Sequence, residues 1–155
     1  MKTMTSTMTT ALKTTIAAAL LALAAGCTHA TMSTPPGFAR VDGSYDVRAV
    51  NAVGVIVGSR LEKNDPQANL EFWASAVDLK LARQGYNRLS QSDVKSQEGV
   101  PGKLFKYDAG NYQEYWVAVF VTNKHVLLTE ATGHQAHVAG SAKQLEAAML
   151  SAHAG

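Results

Sequence analysis

The run Tyr115-Trp116-Val117-Ala118-Val119-Phe120-Val121 limits the fold more than any other stretch, because every position in it is apolar. Successive side chains of a strand point to opposite faces, so a half-buried strand alternates apolar and polar residues. A run without a polar side must be hidden on both faces. Its aromatic and β-branched content suits a strand better than a helix. The run therefore predicts a central strand in a sheet with helices over at least one face.

The flanking segments supply the rest of such a sheet. Tyr45 to Asn51 alternates, with Tyr45, Val47 and Ala49 on one side and Asp46 and Arg48 on the other. Asn51 to Gly54 reads as a turn, and Val55-Ile56-Val57 opens a second strand running to about Glu62. After the central run, Asn123-Lys124 turns the chain into a strand over His125 to Thr132. Before it, strands are expected over Tyr86 to Lys95 and Lys103 to Asp108, and the run itself falls in a strand over Tyr112 to Thr122. They are separated by the turns Glu98-Gly99-Val100-Pro101-Gly102 and Gly110-Asn111. Strands joined by such short turns run antiparallel.

Two segments change period. Leu70, Trp73, Val77 and Leu81 recur at helical spacing. Asp65 is placed to cap that helix, Pro66 suits its first position and Gly85 suits its end. Near the C-terminus Val138, Ala142, Leu145 and Met149 share one helical face within Gln135 to Ala152, with Ser141 a candidate cap. The order is β-β-α-β-β-β-β-α. This is an α+β domain with a largely antiparallel sheet of about six strands and two helices.

The first 26 residues have another purpose. Met1 to Lys13 is polar, with Lys2 and Lys13 and no acid, and Thr14 to Ala25 is a short apolar run ending in small residues. This is the plan of a signal peptide, and the run falls short of the roughly 20 apolar residues a membrane-spanning helix needs. It ends Leu23-Ala24-Ala25-Gly26-Cys27, which resembles a bacterial lipobox, although Leu stands one place further from the cysteine than that pattern prefers. The resemblance implies cleavage before Cys27, lipid on its sulfur and anchorage to the membrane. Thr28, where an inner-membrane retention signal has Asp, implies the outer membrane, facing the periplasm. The expected organisation is a lipoprotein signal peptide over 1–26, a lipidated N-terminus and flexible tether over 27–44, and one domain over 45–155. Thr28 to Gly37, rich in Ser, Thr, Pro and Gly, is read as the mobile part of that tether.

The leader also accounts for the apparent basicity. The formal charge is +2, but with Lys2 and Lys13 removed the remaining basic side chains balance the 12 acidic ones. A neutral, mixed-charge domain carries no electrostatic footprint for nucleic acid. Cys27 is the only cysteine, so no disulfide is available within the domain.

Taken together, Leu70-Glu71-Phe72-Trp73-Ala74, Gln84-Gly85-Tyr86, Gly99-Val100-Pro101-Gly102-Lys103 and Tyr115 to Phe120, in that order and closed by a helix, resemble landmarks of the PsbP-like and Mog-like α/β/α sandwich. Small bacterial lipoproteins of that group are the nearest likeness. The resemblance implies an accessory or binding role and brings no catalytic residue with it.

Few side chains stand out as chemistry. His134 and His137 lie three residues apart and could share a metal on a helix, with Glu130 or His125 as a further ligand. Gly133 before them points instead to a loop with two solvated histidines, and no metal or other cofactor is expected. Ser90, Ser92, Ser96 and Ser141 lack a nucleophile elbow, and Gly54 and Gly58 open no helix that could cradle phosphate. Among the aromatic residues, Trp73 and Phe120 are expected in the core. Tyr112 and Tyr115, beside the Gly110-Asn111 turn, are candidate partner contacts. The expectation is a non-catalytic, periplasm-facing lipoprotein that binds another envelope component, a protein. The alternative is a carrier or sensor of a small ligand or metal, using a pocket between sheet and helix.

Overall fold

The computed structural model describes residues 28–155. The segment expected to be a signal peptide, and Cys27, lie outside the described residues. The chain runs through β1 (Ala30–Thr31), β2 (Phe38–Arg40), β3 (Val47–Asn51), β4 (Ile56–Lys63), α1 (Leu70–Arg83), β5 (Asn87–Lys95), β6 (Pro101–Gly110), β7 (Gln113–Val121), β8 (His125–His134), α2 (Gln135–Gly140), α3 (Ala142–Leu150) and β9 (His153–Ala154). A seven-stranded sheet has the order β2-β3-β4-β8-β7-β6-β5, and every neighbouring pair in it is antiparallel. The expected α+β architecture is present, with β7 inside the sheet between β8 and β6.

The two-sided apolar run behaves as its composition requires. Val117 and Val119 face α1 with Phe105, Tyr107, Val126 and Leu128. Trp116, Ala118 and Phe120 face the other way, onto Val138, Leu145 and Met149 of α2 and α3. All five central residues of the run, Trp116 to Phe120, are at most 2% exposed. Helices thus cover both faces of this part of the sheet.

Three local readings need correction. First, the segment expected to be a mobile tether is built into the domain. Ala30 and Met32 are buried in the core, and β1 pairs with β9 at the far end of the chain. The backbone N–H of Ala30 donates to Asp46 Oδ2 at 2.9 Å, and Phe38 to Arg40 extends the main sheet. Two or three buried residues fix a segment this polar, and they leave no periodicity to read. Second, α1 begins at Leu70, a turn later than Asp65-Pro66 suggests. Asn69 is the cap, its side chain accepting from the Phe72 N–H at 3.0 Å. The preceding loop winds around the buried side chain of Asn64. That side chain donates to Ala68 O (3.0 Å) and Thr122 O (2.9 Å) and accepts from Ala68 N–H (2.9 Å) and the Trp73 indole (2.7 Å). Third, the C-terminal helix is two helices broken at Ser141, whose hydroxyl makes no capping bond.

The helix end is as expected. Gly85, at φ +87°, takes the left-handed conformation that costs glycine least.

Candidate functional site

α1 packs chiefly over β6 and β7. It shares its core cluster with Val126 and Leu128 of β8, and beyond it the same face of β4 and the Glu130 end of β8 lines open space. Residues of alternate parity there, Arg60 and Glu62 on β4 and Glu130 on β8, point into the space beside α1. The result is a half-open cleft of about 460 Å³. Its floor is Glu130, Leu128, Val126, Val117 and Tyr115. One wall is Trp73, Val77 and Lys80 of α1, and the opposite wall is Tyr45.

Tyr45 reaches this position because Gly58 on β4 leaves it room. A Cβ at residue 58 would lie 3.2 Å from the Tyr45 ring and 2.9 Å from Val47 O, so a side chain there would crowd both the ring and the β3 backbone. The Tyr45 hydroxyl donates to Glu130 Oε2. Arg60 Nη2 meets Glu130 Oε1 at 3.2 Å, and its guanidinium lies 5.9 Å from the Tyr45 ring centroid. Glu130 itself is only 7% exposed. A carboxylate that deep needs partners, because an isolated buried charge costs several kcal/mol, and here both oxygens are engaged.

The phenols around it register the same environment. Burial, and then the hydrogen bond to Glu130, push the Tyr45 hydroxyl up to about 12. Tyr115 is raised further, by burial first and then by the charge of Glu130. Both phenols therefore stay protonated at any physiological pH, and Tyr45 serves as a donor to the carboxylate. The donors left over belong to cations. Arg60 Nε has no hydrogen-bond partner, and Lys80 at the rim has no ion-pair partner among the described residues.

The structure separates the two tyrosines paired in the sequence reading. Tyr115 is turned into the cleft, with its ring 5.5 Å from that of Tyr86. Tyr112 stands outside at 76% exposure. It occupies the second place of a two-residue hairpin loop, where Asn111 and Tyr112 both have positive φ (51° and 60°) and Gly110 pairs with Gln113. The proposed two-tyrosine contact patch is therefore not assembled. Its neighbours are instead His134, stacked on Tyr112 at 6.2 Å between centroids, and His137, 5.5 Å from His134.

The histidines sit close together, as helical spacing of three allows, with His134 capping α2. Neither suggested third ligand joins them. Glu130 is committed inside the cleft, and His125 is at the opposite end of β8. Among the described residues no cluster of three or more His, Cys, Asp or Glu side chains could hold a metal. Phe120, Phe105 and Tyr107 are core, while Trp73 is half-buried and lines the cleft. Trp116 lies on the other face, with Lys106 Nζ 3.8 Å above its ring.

Reading by composition missed Arg60 and Tyr45 and took Glu130 only as a metal ligand. One signal was present. Glu130 is the sole charged side chain in Val126-Leu127-Leu128-Thr129-Glu130-Ala131, an otherwise buried strand. A lone carboxylate there must meet a cation or a donor.

Fold and site together define an α+β domain of PsbP-like fold with a mainly apolar cleft under α1 that holds Glu130 and Arg60. The solution structure of cyanobacterial PsbP (CyanoP) from Synechocystis sp. PCC 6803 is similar, with a TM-score of 0.55 at 9% identity, covering 85% of this chain and 96% of that one. A crystal structure of PA94 from Pseudomonas aeruginosa, a protein of unknown function described as a putative regulator, has a TM-score of 0.52 at 14% identity. It covers 80% of this chain and 81% of that one. No protein-family model matches the chain, and no curated protein matches it.

Proposed function

We propose that the chain is a non-catalytic binding protein of the bacterial envelope, held at the outer membrane by lipid on Cys27 and facing the periplasm, whose binding is done by the cleft under α1. The leader and the Leu23 to Cys27 motif support the address. The observation that carries the binding site is the buried Glu130, held by Tyr45 and Arg60 on the floor of a half-open, mainly apolar cavity. Small-molecule sites combine apolar walls with a few fixed polar groups in this way. This favours a small-ligand carrier or sensor over a protein contact through Tyr112 and Tyr115, since the two do not share a surface.

The test is to purify the full-length protein from membranes beside a Cys27→Ala control and to compare its native and denatured masses. The expected result is an acylated protein that leaves the membrane fraction in the control, and a small-molecule mass lost on denaturation. A single dominant protein companion, with no small molecule, would overturn the cleft reading in favour of a partner protein.

A further inference from the structure

Resting on the cleft as a small-ligand site, we infer the chemical class of the ligand: a monocarboxylate with an apolar or aromatic body. The inference comes from which hydrogen-bonding groups of the cleft are already used and which are not.

The acceptor side is occupied. Glu130 Oε2 takes the Tyr45 hydroxyl, and Oε1 takes Arg60 Nη2 at 3.2 Å. Tyr115 is also under the influence of that carboxylate. An incoming ammonium would have to displace Arg60 from a buried carboxylate, leaving one cation in place of another.

The donor side is not occupied. Glu130 takes the Arg60 guanidinium through Nη2, Arg60 Nε makes no hydrogen bond, and the side chain as a whole is 37% exposed, so guanidinium N–H groups remain for a ligand in the cleft. Lys80, one turn along α1 from Val77, adds a second cation at the mouth. Glu62 is the one unpaired acid of the lining; it is exposed to water as Lys80 is, so both are screened and Arg60 carries the head-group preference. Guanidinium binds carboxylate through parallel, charge-assisted bonds, roughly twice as strong as neutral ones.

The body of the ligand follows from the opposite half of the lining. Trp73, Val77, Val126 and Leu128 present apolar surface within a few side-chain lengths of Arg60. A volume of about 460 Å³ suits a molecule with one ring and a short chain. A molecule with its head at Arg60 would lay its body along Trp73, whose indole N–H is held by Asn64.

Three probes with one body and different heads test this: 4-phenylbutanoate, 4-phenylbutan-1-ol and 4-phenylbutylamine. Each is titrated into the full-length protein, following the indole N–H resonances of Trp73 and Trp116 by NMR. The carboxylate is expected to shift Trp73, leave Trp116 unmoved and bind about tenfold more tightly than the alcohol, the difference one charge-assisted contact supplies. Arg60→Gln should remove that preference, and Lys80→Gln should reduce it without disturbing the fold. If the alcohol binds as well as the carboxylate, or the amine binds best, the carboxylate assignment is overturned while the cleft stands. If none of the three moves Trp73, the assignment and the cleft reading fall together. The head-group comparison uses the unaltered protein, so it holds even if Arg60→Gln does not fold.

Discussion

The two faces of the sheet are closed in different ways. Against α2 and α3 the sheet presents Val57, Ala118, Phe120, Leu127 and Ala131, and the N-terminal Ala30 and Met32 finish the layer. The ion pair on that side, Lys106 with Glu146 of α3 at 3.7 Å, sits at its margin, over the ring of Trp116. Against α1 the layer of Phe105, Tyr107, Val117, Val119 and Leu128 is equally apolar where the helix covers it. Beyond the helix the same face turns polar, with Arg60 and Glu130 in the gap. One helix is too narrow for a seven-stranded sheet. The difference lies in what covers the remainder. On one face a second helix and a short strand do so, and on the other only the ring of Tyr45. The first face is the stabilising core, and the second trades part of its core for a cavity with fixed charges.

The largest effect that would break this contrast is on the closed face. Phe120→Ala empties a site that is 2% exposed. It should cost about 3–5 kcal/mol, the usual range for a core phenylalanine. Urea unfolding measures it. Trp73 should keep its native resonance in whatever fraction stays folded, because the cleft is on the far side of the sheet. A loss under about 1 kcal/mol would mean that the closed face is not the main core.

Glu130→Gln sharpens the contrast from the other side. The substitution keeps the shape and removes the charge that Arg60 and Tyr45 address. Breaking a fully buried pair costs more, but the Arg60 side chain is 37% exposed and water can take up part of its charge. The expected loss is about 1–2 kcal/mol, smaller than that of Phe120→Ala. The same unfolding measurement decides it. A gain in stability would show that the charge is kept at a net cost, as cavities that serve binding often require.

These differences bear on how much the sequence could show. The central strand and the helix over the cleft-bearing face were legible because their signals are periodic: the two-sided run at Tyr115 to Val121, the helical stripe at Leu70 to Leu81 and the Gly85 stop. Packing of α2 and α3 opposite α1 was legible only as a possibility, since a two-sided strand asks for cover without saying from where. The N-terminal strands were not legible. Ala30, Met32 and Phe38 are too few and too scattered in a Ser, Thr and Pro-rich stretch to set a period, and their partners lie at the chain's other end and in β3. The cleft is non-local in the same sense. Tyr45, Arg60 and Glu130 meet only because β4 pairs with β8 and Gly58 lets a ring lie on the sheet.

The smallest effect concerns protons. In the folded chain Tyr45 holds its proton up to about 12, against an ordinary value of 10.0, because it is buried and donates to Glu130. Below pH 10 the phenol is neutral in both folded and unfolded chains, and its contribution is constant. Between about 10 and about 12 the unfolded chain has released the proton while the folded chain retains it, so stability falls as pH rises through that window. Tyr115 and Tyr107 are shifted in the same direction and add to the decline in any variant that keeps them. Tyr45→Phe therefore starts less stable at pH 8, having lost the bond to Glu130. Its disadvantage should shrink steadily as the pH is taken above 10. Paired urea titrations of the two proteins across that range isolate Tyr45, since every other titrating group is common to both. A gap that stays constant would mean that water reaches the phenol freely, and that Tyr45 is not a wall of the cleft.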